Sequence, residues 1–182
     1  MPHLRVAALT GLLVALTSCG WLNSFSRRPA PLGGLANSNR SDGALSGDGR
    51  LLASLIEENG TTRLILQEQG SGRRLPLRHW RRQTPHSSPS LSWNGRYLAG
   101  LVQQGEQRRL VVEDRLNGRL LRLPLPGGGQ PERLSLAPDG SRLAVQVLRK
   151  GQWQVEVLGL DGLLEPDLPG ATTVLGGGVP PP

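Results

Sequence analysis

From residue 44 onward the chain alternates short apolar runs with glycine-centred polar breaks, and the alternation repeats. Leu51-Leu52-Ala53-Ser54-Leu55-Ile56 follows Asp48-Gly49, Tyr97-Leu98-Ala99-Gly100-Leu101-Val102 follows Asn94-Gly95, and Leu143-Ala144 follows Asp139-Gly140. Each unit then carries a second apolar run: Leu64-Ile65-Leu66, Leu110-Val111-Val112 and Val155-Glu156-Val157. Gly49, Gly95 and Gly140 stand 46 and 45 residues apart, and the sets Gly60, Gly105, Gly151 and Gly72, Gly118, Gly162 keep the same step. Four aligned features in three copies define an internal repeat. Asp-Gly or Asn-Gly between two apolar runs predicts a hairpin, and a type I′ turn is expected at Asp48-Gly49, Asn94-Gly95 and Asp139-Gly140. The strands that follow are apolar on both faces, so they must lie between packed neighbours.

A period near 45 residues with four strands per repeat is the pattern of propeller blades. The expected fold is therefore all-β: a partial β-propeller of three four-stranded antiparallel blades, over about 44–89, 90–134 and 135–168. Leu136-Ala137-Pro138-Asp139-Gly140-Ser141-Arg142-Leu143-Ala144, followed by Gly151-Gln152-Trp153-Gln154-Val155-Glu156-Val157-Leu158 and Asp161-Gly162, resembles the blade repeat of the TolB-like periplasmic β-propellers. That resemblance implies a rigid scaffold that docks other envelope proteins. The second unit departs from the pattern with Trp93-Asn94 in place of Pro-Asp. Closed propellers use 4 to 8 blades, so three blades make an open wedge whose end faces are expected to find a partner, with homodimerisation as one way to complete the ring.

The N-terminus follows a different pattern. After Arg5 an apolar stretch runs from Val6 to Leu16, shorter than the ~20 residues that span a bilayer. Leu16-Thr17-Ser18-Cys19-Gly20 resembles the bacterial lipobox, which implies a signal peptide over 1–18, cleavage before Cys19 and lipidation of its thiol. The Gly, Pro, Ser and Asn of 19–43 read as a tether, and 169–182, ending Gly176-Gly177-Gly178-Val179-Pro180-Pro181-Pro182, as a flexible tail. Export to the periplasmic side of a bacterial membrane, with the lipid as anchor, follows from the motif.

Composition narrows the chemistry. The 182 residues include Gly 25 and Pro 15, too many turn formers for a helical bundle, and aromatics of only 3% leave Leu, Val and Ala to build the core. A single cysteine excludes an internal disulfide framework. The net charge of +7 raises the question of nucleic acid, but export removes the opportunity, and none is expected. His79 and His86 lack ligand-spaced neighbours, Gly47-Asp48-Gly49 precedes a hairpin rather than a helix, and there is no Gly-x-Ser-x-Gly elbow. Neither cofactor, metal site nor catalytic residue is expected. Much of the positive charge lies in one connection, which holds Arg73, Arg74, Arg78, Arg81 and Arg82 around Trp80. Arginine forks bind carboxylate and phosphate, and Trp80 could stack on a ring or guanidinium, so the segment is either a docking loop for an acidic protein or another anionic envelope component, or a solvated connection between blades. The leading expectation is a non-enzymatic, lipid-anchored protein-interaction module. The alternative is binding of a small ligand or glycan, or a vestigial hydrolase-type activity, in an axial pocket completed by dimerisation.

Overall fold

A computed structural model describes residues 39–171. The expected signal peptide, Cys19, most of the tether and nearly all of the tail lie outside the described residues. Three antiparallel sheets follow one another along the chain. The first holds β1 (Arg40–Leu45), β2 (Leu51–Glu58), β3 (Thr61–Glu68) and β4 (Arg74–Leu75). A 3-10 turn over Trp80–Arg82 leads to the second, with β5 (Thr84–Leu91), β6 (Tyr97–Gln104), β7 (Gln107–Asp114) and β8 (Arg119–Leu123). The third holds β9 (Gln130–Leu136), β10 (Arg142–Arg149) and β11 (Gln152–Gly159). Within each sheet, neighbours in sequence are neighbours in space.

Three expectations are corrected. Among the described residues blade 3 has three strands, where four were expected. The blade limits fall earlier than the repeat suggested: β1 starts at Arg40 inside the stretch read as tether, β5 precedes residue 90, and β9 precedes residue 135. The first strand of each blade escapes the apolar pattern because it is polar or proline-bearing, as in TPHSSPSL, and its pairing with the second strand is interrupted by register shifts. Proline is tolerated at such bulges because the ladder is already broken there. The third correction concerns turn type. Gly49, Gly95 and Gly140 have φ near +70°, but Asp48, Asn94 and Asp139 are not in the left-handed region, so the hairpins are not type I′.

The observed loop is one design used three times. Ser46 N–H bonds Leu51 C=O and Gly49 N–H bonds Ser46 C=O; Ser92 with Tyr97 and Gly95, and Ala137 with Arg142 and Gly140, repeat the arrangement. An acidic side chain locks the turn in blades 1 and 3, where Asp48 accepts from Arg50 N–H and Asp139 from Ser141 N–H. Adjacent loops are then stitched together: Asp48 N–H donates to Trp93 C=O, and Trp93 N–H donates to Pro138 C=O. The bulged strands are also tied between blades, through Ser88 N–H to Asp42, Ser87 Oγ to Glu132 C=O and Leu136 N–H to Ser90 Oγ.

Two apolar layers separate the three sheets. Leu51, Ala53, Leu55, Leu64 and Leu66 of blade 1 meet Leu98, Val102 and Val111 of blade 2. Tyr97, Ala99, Leu101, Leu110 and Val112 on the other face of blade 2 meet Leu134, Leu136, Leu143, Val145 and Val147 of blade 3. The period-two alternation of each strand thus sends successive residues to different interfaces, which is why Tyr97–Val102 of β6 are apolar and buried on both faces.

Candidate functional site

The arginine-rich connection is pulled apart by the fold. Trp80 is 3% exposed and completes the layer between blades 1 and 2, with its ring against Gly100 on β6, where a Cβ would stand 2.7 Å from Trp80 Cη2. The expected role of Trp80 as a stacking platform is therefore corrected: burial of a large ring in an interface otherwise made of Leu and Val outweighs its exposure beside charges. Arg78 bends away toward blade 2, where its guanidinium covers Gly118, and the neighbouring His79 donates from Nε2 to Gly118 C=O at 2.8 Å. Both steps pin the connection to the turn that follows β7.

Arg73, Arg74, Arg78, Arg81 and Arg82 all remain exposed. Arg73 pairs with Glu68 at 3.7 Å and Arg74 with Glu58 at 3.1 Å, both at the surface and so weakly held. Arg81 and Arg82 have no carboxylate partner among the described residues. Arg74 and Arg81 border a groove of about 410 Å³, together with Glu58, Thr61, Thr62, Arg63 and Gln83. The groove exists because β4 is short: Leu75 and Arg74 pair with Leu66 and Gln67, and Pro76 then removes the donor that would continue the ladder. The 61–65 portion of β3 has no β4 residue beside it. Arg63, which the charge run in the sequence did not flag because it lies ten residues earlier in an apolar strand, joins the rim through the hairpin. The result, among the described residues, is a strand edge without a paired strand, with three arginines and a single acid around it.

A second polar constellation holds blade 2 to the segment after β11. Asp167 is 3% exposed and accepts from Ser92 Oγ at 2.5 Å, Asn94 N–H at 2.8 Å and Asn94 Nδ2 at 3.0 Å, while its own N–H donates to Asp139 C=O. Tyr97 Oη donates to Glu165 C=O at 2.9 Å and accepts from Glu165 N–H at 3.0 Å. Arg96 bridges Asp114 and Glu165 while lying 5.0 Å from the Tyr97 ring centroid. Burial works against the Arg96 charge, but the Asp114 and Glu165 hydrogen bonds outweigh it and the pKa rises. Asp139, half-buried, is held below the usual carboxylate range by the N–H and hydroxyl of Ser141. Asp48, Asn94 and Asp139 thus act as loop formers, and Asn94 is also a ligand for Asp167. Sequence reasoning did not select Asp167 because a lone acid in a Pro- and Leu-bearing segment gives no signal until its donor partners are folded around it.

Glu113 and Arg115 form a third group, buried on either side of Asp114. Glu113 Oε1 accepts from Arg78 N–H at 3.3 Å, and its Oε2 has no hydrogen-bond partner among the described residues. Arg115 Nη1 donates to Gly95 C=O at 2.5 Å, with Nε and Nη2 unpartnered among the same residues. Burial raises the Glu113 pKa, only partly opposed by His79, the Arg78 N–H and Arg115, and burial lowers that of Arg115 to about 10. Among the described residues no group of three His, Cys, Asp or Glu side chains is placed to hold a metal ion.

With this geometry in hand, solved structures decide the architecture. TolB from Acinetobacter baumannii superposes with a TM-score of 0.56 at 18% identity, covering 67% of this chain and 30% of that protein. The fold is a partial β-propeller. A putative TolB from Agrobacterium tumefaciens matches with a TM-score of 0.53 at 23% identity over 68% of this chain and 44% of that one. The β-propeller domain of the Trilobed protease from Pyrococcus furiosus, described as having an open velcro topology, matches with a TM-score of 0.53 at 13% identity over 69% of this chain and 40% of that one. This chain therefore spans less than half the length of these propellers. No protein-family model matches the sequence, and no curated protein matches it.

Proposed function

We propose that this partial propeller is a non-enzymatic, exported and lipid-anchored docking module of the bacterial cell envelope, and that it binds an acidic segment of a partner protein in the groove of blade 1. One observation carries the reading: the edge of β3 left open where β4 ends, rimmed by Arg63, Arg74 and Arg81 with Glu58 as the opposing charge. An open edge offers backbone donors and acceptors to an added strand, and the arginine forks select carboxylates along it. The blades hold that edge rigidly while the tether and anchor expected from the N-terminal motif keep it near the membrane. The TolB-like repeat resemblance supports the same class of role.

Crosslinking in intact bacterial membranes with the full chain tests this, comparing wild type with Arg63→Ser/Arg81→Ser/Arg82→Ser. The expected result is a discrete protein adduct that fades with rising salt and is lost in the triple variant while its circular dichroism is unchanged. Unchanged adducts in the triple variant overturn the reading. So does loss of binding to phosphatidylglycerol vesicles with no effect on protein adducts, which would assign the arginines to lipid.

A further inference from the structure

The groove of blade 1 has a counterpart one blade further on. In blade 2 the fourth strand β8 pairs with β7 as far as Leu123 opposite Leu110, and Pro124 then removes the next donor, as Pro76 does after β4. Among the described residues, Gln107, Arg108 and Arg109 are left without a β8 residue beside them. The 46-residue step of the repeat carries Arg63 onto Arg109 and Leu64 onto Leu110. Arg109 and Leu110 line a recess of about 420 Å³ with Gln104, Arg122, Leu123 and Pro124. Arg109 and Arg122 are exposed, and neither has a carboxylate partner among the described residues.

The strand register puts this recess beside the arginine-rich connection. Gly100 of β6 and Arg122 of β8 both stand opposite Val111 of β7, so the three form one cross-strand row. Arg109 lies two residues from Val111 on β7 and therefore on the same face. That face looks toward blade 1, because Val111 is packed in the layer with Leu51, Leu66 and Trp80, and the Trp80 ring lies on Gly100. The Trp80–Arg82 turn thus rests on the row whose outer end is Arg122, while Arg81 borders the blade 1 groove. Neighbouring strands are about 5 Å apart, so Arg122 stands about 10 Å along the row from the glycine under the ring. Near the tips of the two hairpins Glu58 is paired with Arg74, which leaves Glu57 and Glu106 against Arg63, Arg81, Arg82, Arg109 and Arg122.

We propose that the acidic segment held by blade 1 continues across the 80–82 turn into the blade 2 recess, where Arg109 and Arg122 form a second carboxylate-binding station. The partner then carries an acidic run long enough to reach both. This extends the reading of the blade 1 groove and rests on it. Two open strand ends with an arginine at the same repeat position, joined by a connection that itself bears Arg81 and Arg82, favour one extended anionic chain over two separate ligands. Packed sheets lie about 10 Å apart and an extended chain covers about 3.3 Å per residue, so at least about three residues separate the groups that reach Arg63 and Arg109. Occupying both stations raises affinity through effective concentration, with no new kind of contact.

Titration calorimetry on the full-length chain in non-ionic detergent, with acetylated tetra-glutamate and octa-glutamate as probes, gives the test. Octa-glutamate is expected to bind wild type more tightly than tetra-glutamate and to lose about tenfold in Arg109→Ser/Arg122→Ser, while tetra-glutamate changes by less than about threefold. Arg133→Ser/Arg142→Ser removes the same charge from exposed positions on blade 3 and should leave octa-glutamate within about threefold of wild type. All variants should keep the wild-type melting temperature. If octa-glutamate binds Arg109→Ser/Arg122→Ser as tightly as wild type but is lost in Arg63→Ser/Arg81→Ser, the second station is overturned and the blade 1 groove stands. Equal losses in the blade 2 and blade 3 variants also overturn it, since net charge alone would then hold the peptide. Octa-glutamate that does not bind wild type, or that is indifferent to Arg63→Ser/Arg81→Ser, overturns the blade 1 reading and this one together.

Discussion

Asp167 offers the sharpest check on how three blades are held without a closed ring. Replacing it with Ala removes three hydrogen bonds from a carboxylate that is nine-tenths buried and leaves Ser92 Oγ and Asn94 N–H without their acceptor. A buried donor left unpaired costs about 1–3 kcal/mol, so two of them give about 2–5 kcal/mol once some rehydration is allowed. For roughly 130 ordered residues each kcal/mol corresponds to roughly 3–6 °C in Tm, so Asp167→Ala should melt roughly 10 °C or more below wild type. Thermal and urea unfolding followed by circular dichroism read this directly, with the urea m-value expected to fall because residues 160–171 fray before the blades. A double-mutant cycle with Asn94→Ala localises the effect, and a coupling of about 1–3 kcal/mol is expected because the two side chains share a contact. A Tm for Asp167→Ala within 2 °C of wild type, or additive single changes, would refute the claim that this carboxylate fastens the last segment to blade 2.

Two further outcomes follow from buried groups. Trp80→Ala should cost about 3–5 kcal/mol, because it empties the layer between blades 1 and 2 opposite a glycine that cannot refill it; a Tm unchanged from wild type would contradict that packing role. Glu113 has a raised pKa through burial, so its contribution to stability is fully present below the unfolded value of about 4.3 and is lost as the pH rises through the folded value. Glu113→Gln removes that component, so the Tm difference between variant and wild type should shift in favour of the variant from pH 4 to pH 8, and a difference that is flat with pH would contradict the assignment.

The comparison of sequence with structure turns on which positions carry a local signal. The Asp-Gly and Asn-Gly breaks and the two-sided apolar strands encode the repeat, its step and the hairpins, because positive φ at glycine and burial on both faces are requirements of single segments. The turn type was not legible: whether Asp48 or Asn94 also enters the left-handed region depends on the bonds to the next loop and to Asp167. The bulged first strands were missed because Ser, Pro and Arg suit an edge whose hydrogen bonds run between blades. At the groove, the charge run identified Arg74 and Arg81, while Arg63 joined them only through the β3 hairpin; the Trp80 ring turned into the layer between blades 1 and 2 and Arg78 reached over Gly118 because those contacts are made with residues distant in sequence.

The sequence by itself determined a three-unit, blade-forming chain with its positive charge concentrated in one connection. Only the tertiary structure decided that blade 3 has three strands among the described residues, that the segment after it is bound to blade 2 by Asp167, and that the apolar row of β11 faces outward. Local propensity and periodicity specify a strand and its two faces, but what covers each face is set by the number of blades and the path of the chain between them.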